Sequence, residues 1–189
     1  MSDLQKTASV KDDSRAIEFT HTRAQRRYLE AQMKKVSRSF ALVVSYLEEP
    51  LKEYLSTAYL ICRVVDNIED CTEPFEWRQV RFDEFGQLLA DPQRAAAVLE
   101  KWAALSWAGL TEDEKRLMSP DHGAMLWQLY AAMPPQARQA VGHWAQDMAQ
   151  GMNQIEDPAR SPLLLRRDGV QILASQADYN QYCLSLIHI

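Results

Sequence analysis

The sequence predicts an all-α protein. From His21 onward, apolar residues recur every three or four positions over most of the chain, which is the period of an amphipathic helix. Prolines and short polar residues stand where such helices would begin. Signals for strands are few, because Leu42–Val44 is the only run rich in β-branched residues and no Asn-Gly or Asp-Gly separates alternating segments. We therefore expect six or so helices and no internal repeat.

The first helices follow from their periodic faces. Residues 1–20 are polar and lack a period, so we interpret them as a loose polar leader. Tyr28 to Lys35 predicts a first helix with a polar face, and the segment Ser37–Phe40 follows it. Pro50 then precedes a strongly helical stretch over Leu51–Asp70.

Start signals place the later helices. Pro74 precedes a helix with Trp77, Val80, Phe85 and Leu88 at helical spacing. Asp91-Pro92 has the pattern of an N-cap with proline at the first helical position, and Thr111 to Glu114 has that of a capping box. Pro134-Pro135 begins a long helix, and a last helical stretch is expected after Gly169. The long helix carries one face of Val141, Trp144, Met148 and Met152.

Composition and charge exclude several classes of protein. The 189 residues are 47% hydrophobic and carry a net charge of -5, so nucleic acid is not expected as a partner. Three scattered cysteines predict neither a disulfide framework nor a zinc site, and we expect a cytoplasmic protein with inert thiols. No signal peptide is visible, and no run reaches the roughly 18 apolar residues of a transmembrane segment. Membrane contact would therefore be peripheral.

The most informative segment is Tyr59–Asp70, with the sequence YLICRVVDNIED. At about 100° per residue, one arc of this helix is apolar and the opposite arc is polar. The apolar arc contains Leu60, Ile61, Val64, Val65 and Ile68. The polar arc contains Tyr59, Arg63, Asp66 and Asp70, with Glu69 at its edge.

Two interpretations of this polar arc remain open. It could be a solvated face on which Arg63 pairs with Asp66 and Asp70, at a few tenths of a kcal/mol per pair. However, neighbouring carboxylates repel one another, and negative charge is unfavourable near a helix C-terminus. A hard cation such as Mg²⁺, which bridges one or two carboxylates to substrate phosphates, would relieve that cost.

The segments VSRSFALVVSYL and YLICRVVDNIED occur in this order, followed by MAQGM at Met148–Met152 and by Gln181-Tyr182-Cys183. On these motifs the chain resembles the squalene/phytoene synthase family over about residues 33 to 183. The DxxED motif of that family stands here as Asp66–Asp70. The match in motif order is far more specific than DxxED alone.

The resemblance implies the isoprenoid (terpenoid) synthase helical fold and a set of site residues. Mg²⁺ is implied at Asp66, Glu69 and Asp70. Diphosphate contacts are implied for Ser37, Arg38 and Arg63, with Tyr59 in the same cluster and Tyr182 near the reacting carbons. A prenyl pocket is implied at Phe40, Val44, Met148, Gly151 and Met152. From the residues alone, Ser37 could instead be an N-cap, and Tyr182, Met148 and Met152 could be core residues.

The implied activity is the Mg²⁺-dependent head-to-head condensation of two prenyl diphosphates. We expect chemistry like that of squalene synthase, on farnesyl diphosphate through presqualene diphosphate, with NADPH as a further cofactor of the full-length protein. The alternatives are a phytoene synthase-like enzyme that uses geranylgeranyl diphosphate, and an inactive helical remnant or interaction protein.

The resemblance ends after Cys183. The family motif continues as VAGxVG and is followed by a second aspartate-rich motif, whereas this sequence reads Leu184 to Ile189 and repeats DxxED nowhere after Asp70. We therefore expect residues 21–189 to be the N-terminal portion of a synthase-like domain that is incomplete at its C-terminus.

Overall fold

The structure is a computed structural model that describes residues 21–157, 164–167, 170–173, 175–177, 179–180 and 183. The predicted leader, residues 1–20, lies outside the described residues. The prediction of an all-α fold is confirmed over residues 21–157, where every element of secondary structure is a helix. The helices are α1 Arg23–Val36, α2 Arg38–Val44, α3 Leu51–Asp70, α4 Phe75–Ala90, α5 Ala95–Ala103, α6 Glu112–Leu117, α7 Pro120–Ala132 and α8 Pro135–Glu156, with a 3₁₀ turn at Pro92–Arg94. None of these described helices has both the length and the apolar character needed to cross a membrane.

Most helix starts are where the local signals predict them. Thr111 and Glu114 form the predicted capping box of α6, and the Asp91 carboxylate accepts the backbone N–H of Gln93 at 3.2 Å. Helix α8 begins at Pro135 and α3 spans the predicted range. The first helix is longer than predicted, because a second capping box at Thr22 moves its start to Arg23.

Helix α3 lies at the centre of the core. Its predicted apolar arc is confirmed, since Leu60, Ile61, Val64, Val65 and Ile68 have no exposed surface. Helices α1, α2, α4, α6, α7 and α8 all contact α3, and α8 also packs along α4. Burying this arc fixes the rotation of α3 about its axis. The polar arc is thereby turned away from the centre of the core.

Two expectations are wrong, one about the segment after Gly169 and one about the apolar faces of α4 and α8. The segment after Gly169 is a strand and not a helix, because β1 (Leu164–Arg167) pairs antiparallel with β2 (Val170–Leu173). Val80 and Trp144, both placed on apolar helix faces, are each 45% exposed. Residues 176–177, 179–180 and 183 are helical.

A buried glycine provides a test of the packing between α6 and α7. A Cβ atom at Gly123 would collide with the backbone carbonyl oxygen of Leu117 and would lie 3.1 Å from Leu99 Cδ2. We therefore expect Gly123→Ala to lower the free energy of unfolding by about 1–3 kcal/mol in urea titrations. Gly86→Ala is the matched control, because its Cβ would meet only the flexible amide of Gln146 and alanine favours the helix by up to about 1 kcal/mol. Equal effects of the two substitutions would contradict this packing.

Candidate active site

On the polar arc of α3, two of the predicted residues, Asp66 and Asp70, lie around the guanidinium of a third, Arg63. Arg63 Nη1 lies 3.6 Å from Asp66 Oδ2, and Arg63 Nη2 lies 3.6 Å from Asp70 Oδ2. The side chains of Arg63 and Asp66 are 19% and 21% exposed, whereas that of Asp70 is 50% exposed. This arrangement follows from helical spacing, because residues three, four and seven positions apart share one face. The cluster is more enclosed than an ordinary solvated face.

A residue from α6 completes the cluster. Arg63 Nη2 donates a hydrogen bond to Glu114 Oε1, although 51 positions separate the two residues. Asn67, on α3 and fully buried, donates from Nδ2 to the backbone carbonyl oxygen of Glu114 at 3.0 Å. Sequence reasoning assigned Glu114 only to a capping box and did not find this contact. The capping motif was the only signal, and it carries no information on long-range partners.

Helix α2 and its N-cap carry further predicted residues, of which Phe40 contacts this face. The ring of Phe40 stacks on Tyr59, with centroids 4.4 Å apart and planes 19° apart. Ser37 is the N-cap of α2, since its Oγ accepts the backbone N–H of Phe40 at 3.3 Å. The N-cap alternative for Ser37 is therefore observed, and a diphosphate contact of the same hydroxyl remains a prediction. Arg38 follows directly and is exposed.

The remaining predicted residues divide into three groups. Val44, Met148 and Met152 are buried in the hydrophobic core, and Gly151 is half-buried, so a role for them in a prenyl pocket remains a prediction. Glu69 is half-buried, and its backbone carbonyl oxygen accepts a hydrogen bond from Arg78 at 2.8 Å. Tyr182 lies outside the described residues.

Burial and charge set the protonation of this cluster. Desolvation, together with the charge of Asp70, raises the pKa of Asp66 to about 6 although Arg63 opposes the shift. Burial would also raise the pKa of Glu114, but hydrogen bonds from Thr111 and the charge of Arg63 lower it below its ordinary value. Burial raises the pKa of the nearby Cys62 thiol to about 12, so this cysteine is an inert thiol at neutral pH as predicted.

The candidate ligands of the predicted Mg²⁺ in this cluster are Asp66 and Asp70, with Glu69 beside them in the sequence. No cluster of three or more His, Cys, Asp or Glu residues arranged to hold a metal ion occurs in the part of the chain that the structure describes. Magnesium usually takes one or two protein carboxylates and fills its other positions with waters and phosphate oxygens. Among the contacts of the described residues, the one guanidinium of Arg63 faces the three carboxylates of Asp66, Asp70 and Glu114. A role for Asp66 and Asp70 in holding Mg²⁺ together with a diphosphate remains a prediction.

The raised pKa of Asp66 predicts that Asp66→Asn stabilises the metal-free chain. A pKa of about 6 against an ordinary value of 3.8 means that ionised Asp66 costs folding free energy above pH 6. This cost disappears as the pH falls below 3.8, where the carboxyl is protonated in both states. In urea titrations at pH 7 we expect Asp66→Asn to raise the free energy of unfolding by about 2–3 kcal/mol, with the difference vanishing near pH 4.

Asp70→Asn is the matched control for this experiment. Its side chain is 50% exposed, so its effect on stability at pH 7 should stay within about 0.5 kcal/mol. If the Arg63–Asp66 pair instead stabilises the fold, Asp66→Asn lowers the free energy of unfolding. That result would favour the interpretation of this arc as an ion-paired, solvated surface.

Two of three comparisons relate the chain to known proteins. A family model described as squalene/phytoene synthase matches residues 33–186. The fold is similar to that of TcSQS in complex with the ligand E5700, with a TM-score of 0.64 and 22% identity over 86% of this chain and 40% of that one. It is also similar to TcSQS in complex with BPH1237, with a TM-score of 0.65 and 21% identity over 86% and 41% of the two chains. The chain thus spans about two fifths of the solved proteins that it matches. The comparison with curated proteins gives no match.

Proposed function

Because the chain belongs to the squalene/phytoene synthase family, we propose that it forms the first diphosphate-binding face of a Mg²⁺-dependent head-to-head prenyltransferase. The observation that carries this proposal is the cluster on α3, in which Arg63 lies among Asp66, Asp70 and Glu114. The apolar arc of α3 is completely buried, so this cluster has a fixed orientation. A fixed arrangement of carboxylates and one guanidinium is suited to holding a leaving group whose negative charge increases.

Different residues would bind the metal ion, the phosphate oxygens and the prenyl chain at this face. Asp66 and Asp70, with Glu69 beside them, would hold Mg²⁺, which stabilises the charge that develops on a departing diphosphate. The guanidinium groups of Arg63 and Arg38 and the hydroxyl of Ser37 would bind phosphate oxygens. Tyr59, stacked on Phe40, would form the boundary between the diphosphate end and the prenyl chain. Val44, Met148, Gly151 and Met152 would contact the chain itself, and Tyr182 would act near the reacting carbons.

Farnesyl diphosphate is the proposed substrate, with presqualene diphosphate as the intermediate and NADPH as the reductant. Geranylgeranyl diphosphate is the alternative, because the depth of the prenyl pocket sets chain length. The proposed location is the cytoplasm, with peripheral membrane contact favoured by a hydrophobic substrate and product.

Two measurements test the function. Titration calorimetry of the chain with inorganic diphosphate should show binding that requires Mg²⁺ and is lost in Asp66→Asn. The second measurement uses the protein encoded by the longest open reading frame that contains this sequence. Incubated with farnesyl diphosphate in the presence of Mg²⁺, it should release diphosphate. The hydrocarbon formed with and without NADPH identifies the product. A faster reaction with geranylgeranyl diphosphate would support the phytoene synthase-like alternative. Absence of diphosphate release from both substrates would leave an inactive helical protein.

A further inference from the structure

We propose that Glu114 is the positioning residue for Arg63, holding the guanidinium so that Asp66 and Asp70 stay available for the cation. This inference rests on the proposed function, because it assigns a task to a residue beside the same cluster. It adds a residue from α6 to a site that the sequence placed on α2, α3 and α8. Three features of the structure support it: the attachment of Glu114, the distances around Arg63 and the burial of both groups.

Glu114 is attached at several points, so its carboxylate has little freedom. Oε2 accepts the backbone N–H of Thr111 at 2.8 Å and the Thr111 hydroxyl at 2.7 Å. Its backbone carbonyl oxygen accepts the Asn67 amide at 3.0 Å, which joins α6 to α3. The second carboxylate oxygen, Oε1, is the one that contacts Arg63. A capping box thus orients the carboxylate, and its free oxygen is directed at the arginine.

The distances around Arg63 show which acceptor holds it. The guanidinium lies 3.6 Å from each aspartate carboxylate, beyond the usual range of an N–H···O hydrogen bond, whereas it is hydrogen-bonded to Glu114. All three carboxylates attract the same cation, so their competition decides its position. Without the charge of Glu114, Arg63 would move onto Asp66 and Asp70. Those oxygens would then be occupied by a guanidinium and would bind a metal ion less tightly.

Burial makes the competition effective. The side chains of Arg63 and Glu114 are 19% and 22% exposed, so solvent screens their attraction less than at an open surface. Arg63 Nε is buried and donates no hydrogen bond within the described structure. The two Nη groups therefore make the ionic contacts of Arg63. Removing the charge of Glu114 would shift these contacts towards Asp66 and Asp70.

The first experiment uses the metal-free chain and needs no assumption about function. Hydrogen exchange of the Arg63 guanidinium, followed by NMR, should become at least about tenfold faster when Glu114→Gln is added to an Asp66→Ala/Asp70→Ala background, because a charge-assisted hydrogen bond is lost and neither aspartate can replace it. Glu112→Gln is the matched control: it removes the same charge from the same helix, but the Glu112 side chain is 90% exposed and pairs with Lys115 at the surface. Unchanged Arg63 exchange when Glu114→Gln is added to this background would overturn the inference.

The second experiment measures the affinity for Mn²⁺ alone by electron paramagnetic resonance. We expect Glu114→Gln to weaken Mn²⁺ binding by about tenfold, as is typical for residues that orient metal ligands. Glu112→Gln should change it by less than about twofold. In an Arg63→Gln background, Glu114→Gln should have no further effect, because its effect passes through the arginine.

The outcomes separate the inference from the proposed function. If Glu114→Gln weakens Mn²⁺ binding equally in the unmodified chain and in Arg63→Gln, the charge of Glu114 attracts the metal ion directly. That result overturns its positioning role. An unmodified chain that binds no Mn²⁺, or binds it equally well in Asp66→Asn, contradicts the proposed metal site. In that case the exchange of the Arg63 guanidinium still decides whether Glu114 holds the arginine.

Discussion

Replacing Asp66 and Asp70 together with alanine is expected to reduce diphosphate release from the prenyl substrate at least about a thousandfold, since several kcal/mol of charge stabilisation would be lost. The fold should persist, because both side chains lie on the polar arc of α3 and neither belongs to the buried core. Asp70 also ends the helix, where removal of a negative charge is mildly favourable. Turnover is measured in the longest protein encoded around this chain, and thermal unfolding in the chain itself.

Asp83→Ala combined with Glu100→Ala is the matched control for the aspartate pair. Both residues are exposed acidic side chains on other helices, so the double variant has the same net charge as the aspartate variant. We expect its turnover to remain within about twofold of the unmodified protein, as for substitutions at an exposed surface. Loss of helical circular dichroism in Asp66→Ala/Asp70→Ala would instead assign these residues a structural role.

The largest expected loss of stability follows from Glu84→Ala. Glu84 lies in α4 and is 8% exposed, and its Oε2 accepts Trp102 Nε1 at 2.7 Å and lies 2.7 Å from Arg81 Nε. Lys101 contacts the other oxygen of this carboxylate. Arg81 is itself only 6% exposed, so removing the carboxylate leaves a buried guanidinium without its counter-charge. We expect the free energy of unfolding in urea to fall by about 3–5 kcal/mol.

Two further variants define the cause of that loss. Glu84→Gln keeps an acceptor for Trp102 and removes only the charge, so it should cost less, about 1–3 kcal/mol. Asp83→Ala, at the exposed neighbouring position, should change the stability by no more than about 0.5 kcal/mol. A Glu84→Ala variant as stable as Asp83→Ala would show that the ion pairs contribute nothing.

The same network predicts a dependence on pH. Burial opposes ionisation of Glu84, but hydrogen bonds from Lys101 and Trp102 and the charge of Arg81 lower its pKa below the ordinary value. A lowered pKa means that the contribution of Glu84 to stability is present above the ordinary glutamate value and is lost as the pH falls through the folded value. The difference in stability between the unmodified chain and Glu84→Gln should therefore narrow in acid.

Local patterns in the sequence predicted most of the helices and the shared polar face of α3. The span of α3, its apolar arc and the capping box at Thr111 depend on residues within a few positions of one another. The hairpin was missed for a related reason. Asp168-Gly169 stands between β1 and β2 in the sequence, but the flanking segments do not alternate in polarity, so the period gave no strand signal.

By itself, the sequence determined the family, the helical fold and the shared face of Tyr59, Arg63, Asp66 and Asp70, because motif order and helical spacing are properties of the linear chain. The tertiary structure alone decided that Arg63 is held by Glu114 and that Glu84 is buried against Trp102. Such partners come from separate helices, and their contact depends on how the intervening helices pack around α3. Packing also buries Asp66, and this burial raises its pKa. The same packing keeps solvent from screening the attraction between Arg63 and Glu114.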